Sequence, residues 1–132
     1  MNDDRLPRIL LADDESHIRR LLRTVLSTGG CEVAGEARNG SEAVTLYAQL
    51  RPDVLLLDIS MPNMTGEEAL SKIMGEFPDA VVIMLTSMID ADSVQRCLQL
   101  GASNYLRKDT PVEEITDFVV STWRERRGGA HA

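Results

Sequence analysis

Three short runs of apolar residues constrain the fold of this chain more than any other feature. They are rich in isoleucine, valine and leucine and span Ile9–Ala12, Val54–Leu57 and Ala80–Leu85. Each run is too short for an isolated helix, and a run that stays apolar at every position is typical of a strand buried on both faces of a parallel sheet. Two runs of mixed polarity, Glu32–Ala37 and Asn104–Arg107, indicate edge strands.

Segments with helical periodicity separate these runs. Apolar residues recur there at intervals of three and four positions, which places them on one face of a helix. The five stripes are Ile18, Leu21, Leu22, Val25 and Leu26; Ala43, Val44 and Tyr47; Ala69, Leu70, Ile73 and Met74; Val94, Cys97 and Leu98; and Ile115, Phe118, Val119 and Trp123. Strands that alternate with helices favour an α/β fold with helices on both faces of a parallel sheet. We predict a five-stranded, doubly wound, flavodoxin-like sheet of order 2-1-3-4-5 with five helices.

Three of the predicted helices carry a capping signal at their start. In each, a residue that can accept a hydrogen bond stands three positions before a glutamate, which is the spacing of a capping box. The pairs are Asn39 with Glu42, Thr65 with Glu68 and Thr110 with Glu113. These pairs predict where the second, third and fifth helices begin.

The length of 132 residues leaves room for one domain. We predict that this domain spans residues 1–127 and that residues 128–132 form a disordered tail. No apolar run approaches the roughly 20 residues that span a bilayer, and the acidic N-terminus lacks the apolar region of a secretory signal, so we expect a cytoplasmic protein without a membrane contact. Cys31 and Cys97 fit neither a disulfide framework nor a metal site and are expected to be reduced thiols.

The balance of charges points to cations rather than to nucleic acids. Acidic residues outnumber basic ones by 21 to 14, which gives a net charge of −7, and a field of that sign repels phosphate backbones. Asp13 and Asp14 follow the first strand, and Asp58 ends the third. Since the first and third strands are neighbours in the predicted order, the three carboxylates should share one crevice at the carboxyl edge of the sheet.

Three carboxylates in one crevice need a cation or protons to relieve their repulsion. Two of them about 4 Å apart would repel by roughly 4 kcal/mol at an effective dielectric constant near 20. Mg²⁺ suits such a site, because it binds carboxylate and phosphate oxygens and keeps several waters. Thr86 and Lys108, which follow the fourth and fifth strands, would offer a donor and a positive charge to a phosphoryl group. Asp58 is central in the sheet and is therefore the candidate nucleophile for an aspartyl phosphate.

Each of these residues also has an ordinary structural interpretation. An aspartate at a strand end is often a loop or cap residue, and an Asp-Asp pair is commonly a helix-start signal. A lone lysine after an edge strand is usually solvated. The functional interpretation depends on the five residues taken together, because each of them follows or ends its own strand at the carboxyl edge of the sheet.

Together these residues resemble the receiver domains of bacterial two-component response regulators, over the segment Arg8–Trp123. The acidic pair of that family matches Asp13 and Asp14 in ILLADDE, and its D-x-x-M-P-x-x-x-G motif matches DISMPNMTG with Asp58 at the acceptor position. The hydroxyl, lysine and aromatic switch positions of the family are matched by Thr86, Lys108 and Tyr105.

The resemblance implies a signalling switch and not an enzyme. A sensor histidine kinase or a histidine phosphotransfer protein would transfer a phosphoryl group to Asp58. Thr86 and Tyr105 would then move and alter the surface of helix four, strand five and helix five for an unknown output protein. The implied ligands of Mg²⁺ are Asp14 and Asp58 directly, Asp13 through water, and the backbone carbonyl of Ser60. An exposed helix four permits a phosphorylation-dependent homodimer but does not require one.

The sequence departs from the family pattern at two positions, and each departure predicts a property of this chain. Asp109 follows Lys108 where many receivers have a proline, so we expect a trans peptide bond, because a cis bond without proline costs about 3 kcal/mol. Met88 lies where polar residues often influence dephosphorylation, and its apolar side chain predicts slow autodephosphorylation.

Two other functions are compatible with parts of the sequence. The chain could be the regulatory half of a DNA-binding response regulator, a transcription factor. A Mg²⁺-dependent phosphatase of the haloacid-dehalogenase type also uses an aspartate nucleophile, but that family has D-x-D after its first strand. Here the acceptor segment reads Asp58-Ile-Ser60 and lies on the third strand.

Arg19 and Arg23 lie one turn apart on the first helix, with Arg20 beside them. They form either a solvated helix face or a docking patch for an acidic kinase or phosphotransfer surface. The sequence leaves both interpretations open.

Overall fold

Five strands and five helices alternate along the chain. The computed structural model describes residues 5–87 and 91–129. The elements are β1 (Arg8–Ala12), α1 (Ser16–Thr28), β2 (Glu32–Ala37), α2 (Gly40–Leu50), β3 (Val54–Asp58), α3 (Gly66–Glu76), β4 (Val82–Thr86), α4 (Ala91–Gln99), β5 (Asn104–Arg107) and α5 (Val112–Gly129). All five predicted strands form, and each predicted apolar stripe lies on a helix.

The strands form one parallel sheet of order β2-β1-β3-β4-β5, as predicted. Ala12 at the end of β1 pairs with Leu57, so Asp13 and Asp58 are the next residues along two neighbouring strands. Asp58 in turn pairs with Leu85 of β4. This register brings the ends of β1, β3 and β4 to one edge of the sheet.

Two apolar layers cover the sheet, one on each face. Leu55 and Leu57 of β3 face a layer that contains residues of α2, α3 and α4, whereas Val54 and Leu56 face a layer that contains residues of α1 and α5. All four side chains are fully buried. Burial on both faces explains why the run is apolar at every position, and each buried leucine contributes about 1.5–3 kcal/mol relative to an exposed one.

Two of the three predicted capping pairs form. Asn39 accepts a hydrogen bond from the Glu42 backbone at 2.8 Å, although the Glu42 carboxylate bonds the Arg38 backbone instead of reaching back to Asn39. Thr65 and Glu68 form a complete capping box. The Thr110 hydroxyl makes no hydrogen bond within the described part of the chain, so that prediction is wrong. The turn before α5 is instead held by backbone bonds, such as the one from Thr110 N–H to the Arg107 carbonyl at 3.1 Å.

The C-terminal helix continues through Gly129. It therefore enters the stretch 128–132, for which the sequence predicts a disordered tail, and residues 130–132 lie outside the described residues.

Both cysteines are buried and form no disulfide. In the described ranges, no helix has the length and apolar character needed to cross a membrane.

Candidate functional site

Three carboxylates meet where β1 and β3 end. Asp13, Asp14 and Asp58 each offer a carboxylate oxygen, and these oxygens lie within 4.8 Å of one another. Asp13 is fully buried, Asp58 is 3% exposed and Asp14 is exposed. The cluster is thus buried on one side and open to solvent on the other, in the crevice that the strand order predicts.

One ammonium group lies against this cluster. The Nζ atom of Lys108 is 2.8 Å from Asp13 Oδ2 and 3.2 Å from Asp58 Oδ2. It also donates a hydrogen bond to Glu15 Oε1 at 3.0 Å. The Lys108 backbone is fixed by a hydrogen bond from its N–H to the Thr86 carbonyl at 2.8 Å. A single lysine therefore pairs with three carboxyl groups of the described residues, and with Asp14 beside them the site retains an excess of negative charge.

The two central ionisable groups have shifted pKa values. Burial and then the neighbouring charge of Asp13 raise the pKa of Asp58 to about 7, and the Ser60 N–H and Lys108 offset only part of that rise. Burial alone would lower the pKa of Lys108, but its hydrogen bonds to Asp13 and Glu15 and the charge of Asp58 raise that pKa above the ordinary value. Lys108 is therefore protonated at neutral pH, whereas Asp58 needs a cation to favour its carboxylate.

The Asp13 side chain and backbone are held from several directions. Its Oδ1 accepts a hydrogen bond from Glu15 N–H at 2.8 Å, and its own N–H donates to the Ala37 carbonyl at 3.1 Å. Its Oδ2 is buried and forms an ion pair with the Lys108 ammonium at 2.8 Å. A buried carboxylate oxygen with acceptor capacity left over, beside two further carboxylates, fits a hard divalent cation such as Mg²⁺.

The phosphoacceptor candidate is also held by its own loop. Ser60 N–H donates to Asp58 Oδ1 at 3.1 Å, and Gly66 N–H donates to the Ile59 carbonyl at 2.9 Å. A Cβ atom on Gly66 would collide with the Asp58 carbonyl oxygen. The loop after β3 therefore folds closely over Asp58 only because residue 66 has no side chain.

The remaining predicted residues lie around the cluster. Thr86 is buried at the end of β4, one position beyond the partner of Asp58. Tyr105 is half-buried and packs against the layer that contains α2, α3 and α4. It pairs with Met84, so it lies two residues before the level of Thr86 in the sheet.

The described peptide bonds are all trans, including the one after Lys108. Met88, and with it the prediction of slow dephosphorylation, lies outside the described residues.

Two contacts of the site were not predicted from the sequence. Glu15 contacts Lys108, although the two are 93 positions apart, and only the neighbouring Asp-Asp pair hints at its location. Arg19 donates to the Asp13 carbonyl at 2.5 Å and to Glu36 Oε1 at 3.0 Å, and its side chain is only 12% exposed. The interpretation of a solvated helix face is therefore wrong for Arg19. Arg23 is 46% exposed and also pairs with Glu36.

Comparison with known proteins identifies the class to which this fold and site belong. The response regulator receiver domain family matches residues 9–120. The transcriptional regulatory protein YhcZ of Bacillus subtilis is 42% identical over 109 residues, which is 82% of this chain and 51% of YhcZ. The chemotaxis protein CheY of Thermotoga maritima is 39% identical over 101 residues, 76% of this chain and 84% of CheY.

A solved structure gives the same result. The CheX-CheY-BeF₃-Mg²⁺ complex from Borrelia burgdorferi contains a chain that matches with a TM-score of 0.83 and 30% identity, covering 88% of each chain. The protein therefore belongs to the response regulator receiver domains, a class of signalling domains. The chain spans about half the length of relatives such as YhcZ and most of the length of CheY.

Proposed function

We propose that this chain is the phosphoacceptor switch of a two-component phosphorelay and that Asp58 is the acceptor. One observation carries the proposal. The Asp58 carboxylate is nearly buried at the carboxyl edge of the sheet, within 4.8 Å of two other carboxylates and 3.2 Å from the Lys108 ammonium. A reacting carboxylate, a set of oxygen ligands and a fixed positive charge are what phosphoryl transfer to an aspartate needs.

The proposed donor is a phosphohistidine of a sensor kinase or of a phosphotransfer protein. An Asp58 oxygen forms a bond to phosphorus while the bond from phosphorus to the donor imidazole breaks, and the leaving imidazole keeps the electron pair and takes a proton. Lys108, which stays protonated, faces the new charge on the phosphoryl oxygens, and Thr86 at the end of β4 supplies a hydroxyl donor to them. Loss of the phosphoryl group to water would return the switch to its starting state.

Mg²⁺ is the proposed cofactor. When bound, it neutralises charge on the carboxylates and on the phosphoryl group. The residues that would hold it are Asp14 and Asp58 directly, Asp13 through water and Ser60 through its backbone carbonyl. The spacing of the three carboxylates and the burial of Asp13 support this set, as does the Mg²⁺ in the Borrelia burgdorferi complex.

The proposed output is a change of surface. Movement of Thr86 and Tyr105 after phosphorylation would alter the face formed by α4, β5 and α5, which an output protein or a second copy of the chain would recognise. A groove of about 320 Å³ beside Tyr105 and Arg107 lies on this face. The switch would act in the cytoplasm on partner proteins and would turn over no other substrate. Residues 1–127 would suffice for this function.

The test is the mass of the intact protein after incubation with acetyl phosphate, with and without Mg²⁺. We expect the wild type to gain one phosphoryl group only when Mg²⁺ is present, and Asp58→Asn to gain none. Asp53→Asn, which changes a partly buried aspartate near the other end of the sheet, is the matched control and should behave as the wild type. A wild type that folds, binds Mg²⁺ and gains no mass would overturn the proposal.

A further inference from the structure

We infer that Arg19 is a positioning residue for the metal site, which it serves by fixing the peptide that joins Asp13 to Asp14. The inference rests on the proposed function, because it concerns the Mg²⁺ that this function needs. Arg19 contacts none of the three carboxylates in the described contacts. It acts on them through the backbone.

The contacts of Arg19 connect three elements. Its guanidinium donates through Nη1 to the Asp13 carbonyl at 2.5 Å and through Nε to Glu36 Oε1 at 3.0 Å. Arg19 lies on α1, Glu36 lies on β2, and Asp13 begins the loop after β1. The planar fork of an arginine holds both acceptors at once, and a lysine could reach only one of them with a comparable geometry.

Asp14 is the residue that depends most on this contact. Its side chain is exposed and makes no hydrogen bond or ion pair with the residues the structure describes. Asp13, by contrast, has its own bonds to Glu15 N–H, the Ala37 carbonyl and Lys108. With no side-chain partner among the described residues, Asp14 depends on its backbone for its position, and Arg19 fixes the carbonyl directly before it. A partner that orients a metal ligand without touching the metal typically contributes a factor of about 10–100 in affinity.

Glu36 anchors the guanidinium, and Arg23 provides a control. Arg23 bonds the second oxygen of Glu36 at 2.5 Å but has no described contact with Asp13. Loss of Arg23 would leave Arg19 bound to both of its acceptors. The two arginines carry the same charge on the same helix and bind the same glutamate, but Arg19 is the more buried and is the one that contacts the Asp13 carbonyl.

The sign of the effect separates positioning from simple electrostatics. Arg19 is a cation near an acidic cluster, and removing it should tighten the binding of Mg²⁺ if only charge mattered. If Arg19 positions Asp14, its removal should weaken the binding. The two explanations therefore predict opposite changes in the dissociation constant for Mg²⁺.

The experiment is calorimetric titration of Mg²⁺ into the wild type, Arg19→Gln and Arg23→Gln, well below their unfolding temperatures. We expect Arg19→Gln to bind Mg²⁺ about 10-fold more weakly than the wild type. Arg23→Gln should bind as tightly as the wild type or slightly more tightly. Equal or tighter binding by Arg19→Gln would overturn the inference, as would equal weakening in both variants. If Arg19→Gln does not fold, Arg19→Lys keeps the charge and should also weaken the binding.

A measurement without metal separates this inference from the proposed function. Backbone ¹⁵N relaxation in EDTA should show faster motion at Asp14 in Arg19→Gln but not in Arg23→Gln. A wild type that binds no Mg²⁺ would contradict the proposed function. The relaxation comparison in EDTA would then test by itself whether Arg19 orders Asp14. A wild type that binds Mg²⁺, together with an Arg19→Gln whose Asp14 is as rigid and whose affinity is unchanged, would contradict the positioning role alone.

Discussion

The ammonium of Lys108 lies 3.2 Å from Asp58 Oδ2, although 50 residues separate the two side chains in the sequence. The same atom is 2.8 Å from Asp13 Oδ2 and 3.0 Å from Glu15 Oε1. Lys108 thus pairs with three carboxyl groups of the described residues. A phosphoryl group on Asp58 would compete with these carboxylates for the lysine, and this competition would connect phosphorylation to the end of β5.

Replacing Lys108 with methionine should destabilise the protein when no divalent cation is present. The variant leaves Asp13 and Asp58 buried without their cation, and loss of one partner of a buried ion pair costs about 3–5 kcal/mol. Urea unfolding in EDTA measures this loss. Saturating Mg²⁺ should stabilise Lys108→Met more than it stabilises the wild type, because the metal replaces the missing charge. An equal effect of Mg²⁺ on both proteins would contradict the prediction.

Asp58→Asn should be more stable than the wild type at pH 8 in EDTA, by on the order of 1–3 kcal/mol. Burial and the charge of Asp13 raise the pKa of Asp58 from 3.8 to about 7. The folded protein therefore binds the proton more tightly than the unfolded chain, and ionisation destabilises the fold as the pH rises from 3.8 through 7. The advantage of Asp58→Asn should be absent below pH 3.8 and complete above pH 7. Urea unfolding at a series of pH values checks this, and a difference independent of pH would contradict it.

Glu36→Gln should destabilise the protein by about 1 kcal/mol at pH 7, because Glu36 binds two arginines and is partly exposed. Burial raises the pKa of Glu36, but the hydrogen bonds from Arg23 and Arg19 outweigh it and lower that pKa below 4.5. A lowered pKa stabilises the fold above pH 4.5, and this contribution is lost as the pH falls through the folded value. The wild type and Glu36→Gln should therefore approach equal stability in acid. A gap that widens as the pH falls would exclude this explanation.

Gly66→Ala and Gly75→Ala should have opposite effects. A Cβ atom on Gly66 would overlap the Asp58 carbonyl, so Gly66→Ala should reduce both stability and the rate of phosphorylation by acetyl phosphate. Gly75 is the second-to-last residue of α3, and its added Cβ would lie more than 4 Å from every described atom outside the adjacent helix backbone and chain neighbours. Gly75→Ala should stabilise the protein by about 0.5–1 kcal/mol and leave phosphorylation unchanged, since alanine favours helices over glycine. Thermal unfolding and intact mass measure the two properties, and equal changes in both variants would contradict the prediction.

Patterns that are local in sequence predicted most of the fold and of the central site. The apolar run Val54–Leu57 predicts a strand buried on both faces, and its position next to Asp58 predicts where that carboxylate lies. One failed prediction is the cap at Thr110, where backbone hydrogen bonds close the turn without the hydroxyl.

Contacts between distant elements could not be predicted in the same way. Glu15 meets Lys108 across the mouth of the crevice, and Arg19 reaches the Asp13 carbonyl because Glu36 on β2 holds its guanidinium. Nothing within α1 distinguishes Arg19 from Arg23, since both are arginines on the polar side of the helix. The difference between them is one of position, because Arg19 lies one turn nearer the start of α1 and so nearer the Asp13 carbonyl, whereas Glu36 binds both arginines.

The most direct test of the proposed switch locates the phosphoryl group on the chain. Borohydride reduces an aspartyl phosphate to homoserine, so peptide mapping after treatment with acetyl phosphate, Mg²⁺ and then borohydride reports the modified residue. We expect homoserine at position 58 alone, and none when Mg²⁺ is omitted or replaced by EDTA. Homoserine at position 13 or 14 instead, or none anywhere in a folded protein that binds Mg²⁺, would contradict the assignment of Asp58 as the phosphoacceptor.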